Sequence, residues 1–160
     1  MSSQQYHISL IQMDIRLGDP QYNQQRAGEW IAQAMAAEQK PDVIVLPEMW
    51  NTGYALDRLD GIAEPENGSI TRWLSEIAAQ YNVVLVGGSI SEQRSSGFYN
   101  TLYAYGRDGS ELTRYDKIHL FKLMDEEKFM QPGEQTSLFP LGDVTAAASI
   151  CYDIRFPELA

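Results

Sequence analysis

Cys151 is the only cysteine among 160 residues, so any thiol chemistry in this chain falls to it. A thiol attacks a carbonyl well only when a base or a positive neighbour makes thiolate available. Cys151 follows Val144 to Ile150, a run of mostly small residues that reads as a strand. The carboxyl end of a strand is where open α/β sheets present their crevice. Taken alone, Cys151 reads more simply as a packed structural thiol, since free cysteine is among the most buried residue types. The usual partner would be histidine, and the chain has His7 and His119. His7 lies near the start of the first strand and reads as structural. His119 stands two residues beyond Lys117 and leaves a Cys–His hydrolase open, without a supporting motif. Glu48, in Leu46-Pro47-Glu48-Met49, follows the apolar run Val43 to Leu46, so it sits at a strand's carboxyl end with a proline fixing the approach. Lys117 also falls at a strand end, in Tyr115-Asp116-Lys117. Singly, Glu48 is an ordinary loop acid and Lys117 a solvated lysine. Together, a thiol, a proton acceptor and a cation facing an oxyanion can split an amide without metal or cofactor.

The elements that must position them follow from the hydrophobic pattern. Tyr6 to Met13 reads as a first strand, and Gly18-Asp19-Pro20 as a turn. Tyr22 to Glu38 suits a helix with Trp30, Ile31, Ala34 and Met35 on one face, stopped by Lys40-Pro41-Asp42. Val43 to Leu46 is a continuous apolar run, as in a strand covered on both faces. A loop is expected from Pro47 to about Asn67. Ile70, Trp73, Leu74, Ile77, Ala78 and Tyr81 then fall at spacings of three and four, which predicts a helix over Ser69 to Tyr81. Val83 to Val86 reads as a strand ended by Gly87-Gly88. This β-α-β-α-β order implies α/β layering. Asn100 to Tyr105 and Glu111 to Tyr115 flank Arg107-Asp108-Gly109, a hairpin signal that makes the sheet mixed. Residues 122–136 read as a loop around Pro132-Gly133, and Pro157-Glu158-Leu159 as the opening of a helix.

Composition bounds the partners. The chain is 44% hydrophobic and 21% charged, as in globular proteins, and its length suits one domain, 1–160. A domain of this size buries roughly 70% of the surface its unfolded chain exposes. The net charge of −10 argues against nucleic acid, which needs a basic face, and against docking on anionic membranes. One cysteine allows no intramolecular disulfide, Met1-Ser2-Ser3-Gln4-Gln5 lacks the basic start of a secretory signal, and no run approaches the ~18 apolar residues of a span. The cytoplasm is the expected address.

Three segments carry a family resemblance. Asp42-Val-Ile-Val-Leu-Pro-Glu48-Met49, Arg114-Tyr-Asp-Lys117-Ile-His-Leu-Phe121 and Ser149-Ile-Cys151-Tyr-Asp-Ile-Arg-Phe-Pro-Glu158 resemble, in order, the glutamate, lysine and cysteine motifs of the nitrilase superfamily of carbon–nitrogen hydrolases. The resemblance covers essentially the whole chain. It implies an α-β-β-α sandwich with mixed sheets and helices on the outer faces, no cofactor and no metal. It implies Glu48 as general base, Lys117 as oxyanion stabiliser and Cys151 as nucleophile. It further implies a second glutamate after the lysine, best matched by Glu126 with Glu127 as rival, and a backbone N–H of Tyr152 offered to the oxyanion. Glu48-Met-Trp-Asn-Thr-Gly-Tyr54 and Leu123-Met-Asp-Glu126 resemble the ω-amidase-like branch, whose substrates are small monoamides of dicarboxylic 2-oxo acids.

Family members run well past this length, so the resemblance implies a sandwich incomplete at its C-terminus. If the chain is complete, open edges and bare apolar faces predict instability or aggregation. The resemblance also implies a homodimer or higher homo-oligomer for the full-length form. A non-catalytic fragment or binding module, an acyl transferase and a nitrile hydrolase are the alternatives that the same three residues leave open.

Overall fold

The computed structural model describes residues 5–159. The residues 1–4 that carry most of the reading against a secretory signal lie outside them. The first strand is shorter than the apolar pattern predicts: β1 is Ile8–Leu10. Helix α1, Pro20–Met35, begins inside the segment expected to be a turn. Asp19 is its N-cap, with a side-chain oxygen accepting from Tyr22 N at 3.1 Å, and Pro20 occupies the first turn, where no N–H is needed. The same residue types that mark a turn therefore start a helix here. β2 is Val43–Val45.

The predicted loop from Pro47 to Asn67 holds short structure: α2, Leu59–Ile62, and β3, Glu64–Pro65. Their few residues are too short for a periodic signal. Glu64 is buried and accepts from Ile70 N at 2.8 Å, supplying the cap for α3, Ser69–Tyr81. α3 has the bounds the periodicity predicts, and ends where Asn82 turns left-handed at φ 51°.

β4 runs Val84–Arg94, through the two glycines expected to end it. β4 pairs with β5, Gly97–Tyr105, and the register slips between Val86 and Ser89. Gly88 takes φ +61°, and a Cβ there would lie 2.1 Å from the Pro47 carbonyl oxygen, so the glycines make a bulge rather than a stop. β6, Glu111–Asp116, completes the expected hairpin with β5. The sheet order is β1-β2-β4-β5-β6, with β3 pairing β4; the first three are parallel and the last two are antiparallel additions.

The stretch 122–136 is not all loop. It contains a one-turn α4, Glu126–Phe129, preceded by Asp125 at φ 58°. β7, Leu138–Leu141, and β8, Val144–Ala147, form a second, two-stranded antiparallel sheet. The predicted strand thus stops before Ile150, and Pro157–Leu159 forms only a short 3₁₀ turn.

Side-chain alternation sorts the layers. Ile44 and Leu85 face α1 and α3, joining Ile31, Ile70, Leu74 and Ala78 in the main core. Val43, Val45, Val84 and Val86 point to the other face of the sheet. There Val86 packs with Leu102, Tyr115 and Ile150. This second face, opposite the helices, is where the side chains of the candidate site collect.

Candidate active site

Glu48 is held by a loop clamped onto β4. Met49 N donates to Ser89 Oγ at 3.0 Å, Trp50 N to the Ser89 carbonyl at 3.2 Å, and the Trp50 indole N–H to the Gly87 carbonyl at 2.7 Å. The bulge matters here. The two glycines shift the alternation, so that Ser89 and Ser91 fall on the face shared with Leu102 and Asn100 and meet this loop. Ser91 completes the clamp, with its N–H donating to Asn51 Oδ1 at 3.0 Å and its hydroxyl bonded to Thr52.

Lys117 follows β6 and is fully buried, the reverse of the solvated lysine its sequence context suggests. Its backbone N–H donates to the Asn100 carbonyl at 2.9 Å. Its Nζ donates to Glu48 Oε1 and to Glu126 Oε2, both at 2.8 Å. Burial lowers the ammonium's proton affinity, but the hydrogen bonds and charges of Glu126 and Glu48 outweigh it, and the net pKa is raised. Lys117 therefore stays charged.

Glu126 is also fully buried, whereas Glu127 is exposed and lines a different surface near Tyr152. Glu126 accepts from Lys117 Nζ, from Phe121 N at 2.6 Å, and from Asn100 Nδ2 at 3.1 Å, so both of its oxygens are engaged. Glu48 differs. Lys117 and Asn100 both donate to its Oε1, at 2.8 and 3.0 Å, which leaves Oε2 free of nitrogen donors. Glu126 is held by nitrogen donors at both oxygens, whereas Glu48 also meets the Tyr54 hydroxyl and the Cys151 thiol.

Cys151 opens a 3₁₀ turn, Cys151–Arg155, rather than ending a strand. It is exposed, not packed, and its φ of 48° is a strained value for a residue with a side chain. Asp153, buried beneath the turn, holds it there. Its carboxylate accepts from Ile150 N at 3.0 Å, Tyr115 Oη at 2.7 Å and His119 N at 2.9 Å. The His119 ring also meets Asp153, through Nδ1 at 2.8 Å, and stacks on Phe156 with ring centroids 3.5 Å apart. His119 thus braces the turn instead of partnering the thiol. His7 lies apart, near Lys40 and Asp42.

Partial desolvation, then the charge of Glu48, pushes the Cys151 pKa up, and Lys117 pulls the other way without prevailing. The raised pKa favours the protonated thiol, which lies against the Glu48 carboxylate. The Tyr152 ring packs against Phe121 and Phe156, with centroids 5.1 and 5.3 Å away. A cavity of about 260 Å³ is lined by Glu48, Val45, Val86, Leu102, Phe139 and Cys151, among others. Among the described residues, no group of three or more His, Cys, Asp or Glu is arranged to hold a metal ion.

Two residues escape the motif reading. Asn100 touches both glutamates with its side chain and Lys117 with its backbone. Its only sequence signal is a polar residue at the head of an otherwise apolar strand. Tyr54 is part of the Glu48-to-Tyr54 segment; burial first, then the charges of Glu48 and Glu126, hold its hydroxyl's pKa well above the usual tyrosine value.

Comparison with known proteins places the chain in a family. The carbon–nitrogen hydrolase family model matches residues 7–160. The 2-oxoglutaramate amidase of Bacillus subtilis (strain 168) is 40% identical over 94% of this chain and 57% of its own length. The omega-amidase NIT2 of Homo sapiens is 36% identical over 97% of this chain and 58% of its own length. The crystal structure of Saccharomyces cerevisiae Nit3, a member of branch 10 of the nitrilase superfamily, superposes with a TM-score of 0.84 at 30% identity, covering 96% of this chain and 58% of that one. The chain thus spans somewhat over half the length of these relatives. With the family model matched nearly end to end and the three motif segments meeting on one face of a matching fold, the chain belongs to the carbon–nitrogen hydrolase family of the nitrilase superfamily.

Proposed function

We propose that the protein hydrolyses the carbon–nitrogen bond of a small linear monoamide through a cysteine thioester. The observation that carries this reading is the asymmetry of the two glutamates around Lys117: Glu126 is engaged at both oxygens, while Glu48 has one oxygen without a nitrogen donor beside a protonated Cys151. Glu48 is the general base. It takes the Cys151 proton as sulfur bonds to the amide carbonyl carbon. The carbonyl electrons move to oxygen, and Lys117, with the Tyr152 backbone N–H, stabilises that oxyanion. Glu48 returns the proton to nitrogen, the C–N bond breaks, and ammonia leaves a thioester. Glu48 then deprotonates water, which attacks the thioester carbonyl. The C–S bond breaks, releasing the acid and the thiol. Glu126 keeps Lys117 in place and charged.

The similarity to a 2-oxoglutaramate amidase and an omega-amidase supports monoamides of dicarboxylic or 2-oxo acids as the substrate class. The cavity of about 260 Å³ beside Cys151 suits a small molecule. The single cysteine favours a cytoplasmic address, and the exposed side chains of Ile8, Leu10, Leu138 and Val144 favour a homo-oligomer. The test is ammonia release from a panel of small monoamides, glutaramates and glutamine included, with Cys151→Ser as control. Release that the mutant abolishes is the expected result. Equal release from parent and mutant, or none from the whole panel, would overturn the proposal.

A further inference from the structure

The Asn100 side chain is 1% exposed and has a use that the proposed chemistry does not name. Its one amide NH₂ donates to Glu48 Oε1 at 3.0 Å and to Glu126 Oε1 at 3.1 Å. Its backbone carbonyl takes the N–H of Lys117 at 2.9 Å. One residue therefore touches all three charged members of the site. The orientation of the amide is dictated by chemistry: turned over, Oδ1 would face two carboxylates that offer only acceptors. Keeping both N–H groups on the glutamates leaves Oδ1 buried without a hydrogen-bond partner among the described residues. An orphaned acceptor is a cost to the fold, and groups of that kind gather where function requires the geometry.

We infer that Asn100 is a positioning residue, whose single amide fixes Glu48 relative to Glu126 and Lys117 and so keeps the Glu48 carboxylate presented to Cys151. Aspartate would set a third acceptor against the two glutamates. An aliphatic side chain would leave Lys117 as the one nitrogen donor on Glu48, beside the Tyr54 hydroxyl. Serine is too short to reach both carboxylates. The inference rests on reading Glu48 as the proton acceptor, and its test is chosen to stand apart from turnover.

Cys151 is the only thiol, so alkylation by iodoacetamide reports on it alone, whether or not an amide is ever cleaved. The ionisable groups acting on that thiol are Glu48, Lys117 and Glu126, with Tyr54 facing the same carboxylates. Alkylation rate is measured against pH in the full chain for the parent, Glu48→Gln, Asn100→Ala and the double variant. Glu48→Gln removes the negative neighbour and moves the profile to lower pH. Asn100→Ala moves it in the same direction, because a Glu48 with one donor fewer drifts from the thiol. In the Glu48→Gln background, Asn100→Ala adds no further shift, since residues acting through one another are not additive. A folded Asn100→Ala protein with the parent profile, or an equal shift in both backgrounds, would sink the inference. Asn100→Ser serves if Asn100→Ala does not fold by far-UV circular dichroism; if neither folds, the residue serves the whole structure and the inference fails. Where ammonia is released, Asn100→Ala lowers kcat about tenfold or more and leaves KM within about twofold. A silent ammonia panel with the expected alkylation cycle defeats only the hydrolase reading, and the reverse pattern defeats only this one.

Discussion

Lys117 is the residue on which the site's electrostatics turn. Two carboxylates share its ammonium at 2.8 Å each, and one of them, Glu126, is out of contact with water. Removing one partner of a buried ion pair leaves a charge that nothing compensates, which costs about 3–5 kcal/mol. Lys117→Met should lose stability on that scale in urea unfolding at neutral pH; a loss under about 1 kcal/mol would mean that the cluster rearranges freely. The pH dependence has a definite sign. The folded-state pKa of Lys117 lies above its unfolded value, so its contribution is complete below the ordinary lysine range and fades as pH rises through the raised value. Urea midpoints of parent and Lys117→Met should therefore differ fully at neutral pH and converge at strongly alkaline pH.

The Cys151 turn illustrates how an element is held from below. Five residues leave β8 and coil once, and Asp153 ties that coil to Tyr115 on β6 and to His119 beyond it. The strained φ of Cys151 persists because these bonds over-determine the turn. Asp153→Ala would strand the Tyr115 hydroxyl and the Ile150 and His119 N–H groups. Each such group costs about 1–3 kcal/mol if it stays dry. The expected loss is about 3 kcal/mol in denaturant unfolding, with faster proteolysis after Phe156 or Tyr152. A loss within about 0.5 kcal/mol would mean that water replaces the carboxylate.

Across the whole molecule, the sheet face opposite the helices is unevenly covered. Ile8 and Leu10 align with Val43 and Val45 on that face and are 49% and 69% exposed. Leu138 and Val144 on the two-stranded sheet are exposed as well. Exposed aliphatic side chains in such numbers favour a partner. In size-exclusion chromatography the 160-residue chain should elute above its 18.1 kDa monomer mass, and replacing Ile8 and Leu10 with threonine should shift it downward. A sharp monomer peak with cooperative melting would contradict this.

Local rules carried much of this protein in its sequence. The bounds of α3 were legible because three- and four-residue apolar spacing and Asn82 say the same thing. The β5–β6 hairpin was legible in Asp108-Gly109, and Glu48, Lys117 and Cys151 in three motifs that each end or follow a strand. Glycine misled at 87–88, since a bulge and a stop use the same residue, and only the neighbouring Pro47 carbonyl distinguishes them. The Gly18-Asp19-Pro20 signal was half right, since Leu17-Gly18 turns and Asp19-Pro20 starts the helix. What tertiary structure alone decided is which polar groups meet. Asn100 and Glu48 are 52 positions apart, and Asp153 and Tyr115 are 38 apart. A hydrogen bond between such groups leaves no periodicity in the chain, because it depends on how sheet register and a two-glycine bulge bring distant strands to one face.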